Sequence, residues 1–169
     1  MVEEWARVLV QWLHVTAGVL WIGGGSYTLF VQLPGMMAAP PEARGPVMAQ
    51  LGPRQVSYLL RVAELTLATG VLQLIVTGRA GELTAPLGSR WAGSILLGIV
   101  GAVAIYALIR AVAQPTLLKL LDAGRRAAAG DAEARTQTPL LVARIRSVAQ
   151  VQIGIGFAVL LVMVLARFS

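Results

Sequence analysis

From residue 8 to residue 33 the chain runs without an aspartate, glutamate, lysine or arginine. A helix needs about 20 apolar residues to cross the hydrocarbon core of a bilayer. In that core a backbone must satisfy its own polar groups, so a run of this length predicts a membrane-spanning helix. Three further apolar runs follow, at about 56–77, 91–109 and 147–166; the last two are also uncharged, and the first of the three is interrupted by Arg61 and Glu64. Only 13% of the residues are charged, against roughly a quarter in soluble domains. The expectation is therefore an all-α integral membrane protein: one four-helix bundle over 1–169, with short helical extensions on the cytoplasmic side.

The segments between the spans carry their own signals. Pro34-Gly35 reads as the stop of the first helix, and Pro40-Pro41 and Pro46 mark a connector. Val47, Met48 and Leu51 then suggest a short amphipathic segment at the interface, interrupted by Pro53. The stretch 78–90, with Gly81, Pro86 and Gly88, is expected to turn, and Trp91 opens the third span as an interfacial residue. Beyond Arg110 the pattern of Leu117, Leu118, Leu120 and Leu121 among Lys119, Asp122, Arg125 and Arg126 predicts a helical extension, kinked at Pro115. A polar loop at 127–137 follows, and Thr138-Pro139 reads as an N-cap with proline at the first helical position.

Charge sets orientation and excludes classes of function. The net charge is +6, but the basic residues flank apolar segments, which suits a membrane surface and not a nucleic acid. The first and third loops with their adjoining helix ends hold ten of the fourteen basic residues. The positive-inside rule then places those loops in the cytoplasm and both termini outside, in a bacterial-type inner membrane. With no cysteine, the chain has no disulfide, thiolate metal site, iron–sulfur cluster or thiol nucleophile. Glu3 and Glu4 stand where a secretory signal has basic residues, so the first run is read as a span and not a cleaved signal.

The first span holds the only histidine. At helical spacing His14, Gly18, Trp21 or Ile22, and Gly25 share one face, and an ionisable group within a span is a functional-site hypothesis. A neutral imidazole is a good axial ligand for haem iron, and glycines beside it admit a macrocycle. The plainer reading of the same residues is an interhelical hydrogen bond from His14 with close packing at the glycines. Trp12 and Trp21 read as packing and interface residues. In the second span Arg61 and Glu64 lie three apart and can pair. Charge in lipid requires them to face the bundle or a wet cavity. There Arg61 would suit a haem propionate, a quinone or an anionic substrate, and Glu64 could move protons as a catalytic group. An intrahelical salt bridge with Arg61 reaching the interface is the alternative. Gln73, Tyr106, Gln150 and Gln152 suggest interhelical hydrogen bonds. Met36, Met37 and Met48 could act as soft copper ligands, with interfacial packing as the simpler role. Gly98 and Gly101, with Gly154 and Gly156, offer faces for a homodimer or a larger membrane complex.

Leu13-His14, the step of seven to Trp21, Ile22-Gly23-Gly24 and Tyr27-Thr-Leu-Phe30-Val-Gln-Leu-Pro34 resemble a set of small membrane domains. These are the CopD-type copper-resistance domain, the N-terminal membrane domain of bacterial urate oxidases and the HemJ-type protoporphyrinogen oxidase. Leu51-Gly-Pro-Arg54 continues the resemblance, which is nearest to the urate-oxidase type and covers the first half of the chain. It implies a four-helix fold with haem b held by His14, or copper handling in the CopD-like case. The third span lacks the lysine of HemJ-like proteins. Three functions follow as expectations: a b-type haem protein in electron transfer, with a membrane oxidoreductase activity left open; a copper or small-solute transporter organised around Arg61 and Glu64; or an accessory subunit of a membrane complex.

Overall fold

The computed structural model describes residues 1–84 and 88–168, with Pro41 described through its backbone alone. Pro86 of the expected turn lies outside the described residues. The chain is all-α, and no strand occurs among the described residues. Helix α1 covers Val2–Tyr27, α2 Leu33–Ala38, α3 Pro41–Val76, α4 Arg90–Leu108, α5 Gln114–Ala128 and α6 Ala132–Arg167. A π-turn, Thr28–Gln32, joins α1 to α2, and another, Ile109–Ala113, joins α4 to α5. Four continuous helical runs result: Val2–Ala38, Glu42–Val76, Arg90–Ala128 and Ala132–Arg167, each long and apolar enough to cross a membrane. At most 28% of each apolar window is buried by the chain itself, so most of each apolar run faces outward, as contact with lipid requires.

Several boundaries differ from the expectation, and proline accounts for most of them. Pro34 does not stop the first helix. The π-turn shifts the hydrogen-bond register to i→i−5, with the Leu33 N–H donating to the Thr28 carbonyl. That extra residue lets the proline ring follow without striking the preceding turn. The same device precedes Pro115, where the Gln114 N–H donates to the Ile109 carbonyl. No separate interfacial segment forms around 47–53, because α3 runs through Pro46 and Pro53. The fourth helix starts at Ala132 and not at Pro139. Its cap is Asp131, whose Oδ1 accepts the Ala134 N–H at 3.1 Å, the N3 bond of an N-cap. Thr138 instead donates its hydroxyl to the Ala134 carbonyl at 2.9 Å, within the helix. Ser89 caps α4 in the same way, through the Ala92 N–H.

The contacts divide the chain into two compact units, each built from pieces of all four helical runs. The first comprises 1–23, 61–106 and 154–169. Here small residues let backbones approach: a Cβ on Gly18 would meet the Thr66 methyl at 3.9 Å, and one on Gly156 would meet Ile22 at 3.5 Å. A Cβ on Gly101 would come within 2.5 Å of Val159, and one on Gly98 would strike the Met163 methyl. Gly98, Gly101 and Gly156 are thus filled by their own chain and do not form the open dimer face their spacing suggested. Arg79 stacks on Trp91, 3.5 Å from the ring centroid, and binds Glu82 through two hydrogen bonds of 2.7 and 3.0 Å.

The second unit comprises 24–60 and 107–153. Its core holds Leu33, Leu59, Ile109, Leu117, Leu120 and Val148. Gln55 donates to the Gly24 carbonyl at 3.2 Å and to the Thr28 hydroxyl at 2.7 Å, tying α3 to the first π-turn. Arg44 donates to the Met37 and Ala39 carbonyls and so closes the end of α2. This unit carries nine basic and four acidic residues, against five and four in the first.

Candidate functional site

The site that the structure builds around His14 belongs to the first unit. Helix α3 presents Thr66, Thr69, Gly70 and Gln73 along one face, at the spacing of neighbouring turns. The imidazole of His14 lies against that face. A Cβ on Gly70 would stand 3.0 Å from His14 Cε1 and 3.4 Å from Nδ1, so the glycine provides the room for the ring. Nδ1 lies 3.0 Å from the Thr66 carbonyl oxygen and 3.3 Å from the Thr69 hydroxyl oxygen. A carbonyl only accepts, so Nδ1 carries the proton and donates it. The Thr69 hydroxyl is itself committed as a donor to the Leu65 carbonyl at 2.6 Å, which leaves its oxygen free to share the Nδ1 proton. The tautomer follows: Nδ1–H is fixed, and Nε2 bears the lone pair. Among the described residues Nε2 has no hydrogen-bond partner.

Two further polar atoms of this unit are buried without partners among the described residues. Trp21 is only 4% exposed, yet its indole Nε1–H finds no acceptor. The Gln73 side-chain oxygen, one turn from Thr69, finds no donor. Buried polar atoms are nearly always satisfied, so a donor and an acceptor left open on the two helices that frame His14 suit a bound group. Arg7 stands two turns before His14 on α1. Its Nε donates to the Val76 carbonyl at 3.1 Å, which leaves the rest of its guanidinium unengaged.

The residues expected to form one site are only partly brought together. His14, Gly18 and Trp21 lie in the first unit. Gly18 rests against the Thr66 methyl, which closes the hollow expected there. Gly25 belongs to the second unit, where a Cβ would meet Gln152 at 3.2 Å. It serves packing between α1 and α6 and provides no room for a ligand. Arg61 and Glu64 do not face the interior. Both are exposed and, at about 100° per residue, lie on the side of α3 away from Thr66 and Thr69. Their expected ion pair is not formed; Glu64 accepts the Tyr106 hydroxyl at 3.0 Å instead. Met48 packs beside Gly52, where a Cβ would meet its sulfur at 3.2 Å. No group of three His, Asp or Glu side chains gathers among the described residues.

Thr66, Thr69, Gly70 and Arg7 were not singled out from sequence as site residues, and Gln73 was read only as an interhelical hydrogen-bonding group. The signal was present for three of them, since Thr66, Thr69 and Gln73 place polar groups on one face of an apolar span. The use of a main-chain carbonyl leaves no trace in sequence. No protein-family model matches the chain, and neither the curated proteins nor the solved structures contain a match.

Proposed function

We propose that this is an integral membrane protein that binds b-type haem through Nε2 of His14 and serves in electron transfer. The hydrogen bond from Nδ1–H to the Thr66 carbonyl carries the reading. Metal-ligating histidines characteristically donate the second ring nitrogen to a carbonyl or carboxylate, which fixes the ring and raises the basicity of the ligating nitrogen. The residues fit that role: a tautomer with its lone pair on Nε2, a glycine that gives the ring room, and an unpartnered indole N–H. When bound, the haem would supply one-electron chemistry. The chain would hold the iron through His14 and orient the ring through Thr66 and Thr69. Arg7 would supply positive charge on the same helix for a propionate. Resemblance of the first helix to haem-binding membrane domains supports the same reading.

In this reading the first and third loops face the cytoplasm and both termini lie outside, in a bacterial-type inner membrane. The ten of fourteen basic residues in those loops and their adjoining helix ends support that orientation. The test is an absorption spectrum of the purified protein, oxidised and dithionite-reduced, after expression with a haem precursor. The expected result is a Soret band that sharpens on reduction and is lost in His14→Ala. A folded wild-type protein that stays colourless when haem is added would overturn the proposal.

A further inference from the structure

Helix α3 leaves one seam uncovered by its own chain. Arg61, Glu64, Ala68, Val71 and Ile75 are all exposed, and they are separated by steps of three, four, three and four. That is the spacing of a helix that buries itself against a second helix wound around it. Three of the five positions are small or branched apolar residues, suited to close packing in lipid. The other two carry opposite charges.

Their depth makes those charges costly to leave in lipid. Helix α3 ends at Val76, whose carbonyl takes the Arg7 hydrogen bond, and just beyond it lies the Arg79–Glu82 ion pair. At ~1.5 Å per residue, Glu64 and Arg61 lie about 18 and 22 Å along the helix from that end. A hydrocarbon core of about 30 Å contains both positions. Ionised groups at such depth pair or contact water. Within the chain Arg61 has neither a hydrogen bond nor an ion pair among the described residues. Glu64 accepts one neutral hydroxyl, from Tyr106.

We propose that this seam is the contact between two copies of the chain, with Arg61 of each copy paired with Glu64 of the other about a two-fold axis along the membrane normal. Charge complementarity identifies the occupant. A two-fold interface sets the same patch against itself, one residue meeting a second while the second meets the first. With the axis along the helices equivalent residues share a height, so each Arg61 side chain extends along the ~4.5 Å rise of three residues to Glu64 of the other copy. Two copies inserted in the same direction also bring α3 against α3 in parallel and in register. Ala68, one turn beyond Glu64, lets the two backbones approach. The contact is independent of what His14 binds.

The chain has no cysteine, so a single introduced thiol reports the contact directly. Ala68→Cys in native membranes should form a disulfide-linked dimer on mild oxidation, and Val100→Cys, exposed on α4, should not. Absence of the Ala68→Cys dimer, or an equal yield at Val100→Cys, overturns the proposal. The charges are tested by native mass spectrometry from lipid nanodiscs. Arg61→Glu and Glu64→Arg each set like charges opposite one another and should lower the dimer fraction about tenfold, two intramembrane polar contacts being lost. The double swap Arg61→Glu/Glu64→Arg restores opposite charges and should recover the dimer. If the double swap is as monomeric as the singles while helical content is unchanged, the charges meet lipid or a different protein, and the two-copy contact is wrong.

Discussion

Gly70→Ala should separate the stability of the fold from the chemistry of His14. The new Cβ would lie 3.0 Å from His14 Cε1, whereas carbon atoms in comfortable contact stand 3.5–4.0 Å apart. The ring must therefore retreat from α3 by about 0.5 Å. Such a retreat stretches the 3.0 Å bond from Nδ1 to the Thr66 carbonyl to about 3.5 Å, the edge of a hydrogen bond. Losing that bond costs about 0.5–1.5 kcal/mol. Replacing glycine by alanine inside a helix returns about 0.8–1 kcal/mol. The two effects nearly cancel, so thermal unfolding in detergent should move little. Haem affinity, which rests on the carbonyl holding the ring, should fall about 10–100-fold, as is usual when a group supporting a ligand is lost. Titration followed at the Soret band measures the affinity. Nitrogen-15 spectra of the imidazole read the tautomer without haem: Nδ1 protonated in the wild type, mixed in the variant. An unchanged tautomer with unchanged affinity would refute the role given to the Thr66 carbonyl.

Two more outcomes follow from the packing and the charges. Gly101→Ala sets its Cβ 2.5 Å from Val159 Cγ2, a branched side chain with little freedom, and should destabilise the fold by about 1–3 kcal/mol. Gly154→Ala, which meets open space, should be neutral or slightly stabilising; equal effects of the two on unfolding would refute the close approach of α4 and α6. The Arg79 guanidinium holds the Glu82 carboxyl below its ordinary range, mainly through their hydrogen bonds. A depressed carboxylate adds stability above its unfolded pKa and loses it as pH falls through the folded value. The small gap in melting temperature between wild type and Glu82→Gln should therefore be present at neutral pH and close in acid; a gap that persists at low pH contradicts the ion pair.

How much of this was legible in the sequence depended on the range of the interaction involved. Proline is a local signal, yet its consequence here was not local. Pro34 and Pro115 looked like a stop and a kink, but a π-turn two residues ahead of each carries the helix on. Asp131 and Thr138 both have the chemistry of an N-cap, and only the fold shows which of them begins a helix. Arg61 and Glu64 were legible as charges in a span but not as an outward pair, because i,i+3 spacing permits an ion pair without requiring one.

By itself the sequence determined that the chain is all-α with four runs able to cross a bilayer, because apolar length and helical hydrogen bonding are properties of consecutive residues. It also singled out His14, the one imidazole, and the opposite charges of the second span. The tertiary structure alone decided what those residues do. It set a carbonyl of α3 against Nδ1, filled Gly98 and Gly101 of α4 with Met163 and Val159 of α6, and turned Arg61 and Glu64 outward. These outcomes depend on the rotation and separation of helices distant in the chain, and many side-chain contacts fix those quantities together where no short motif can encode them.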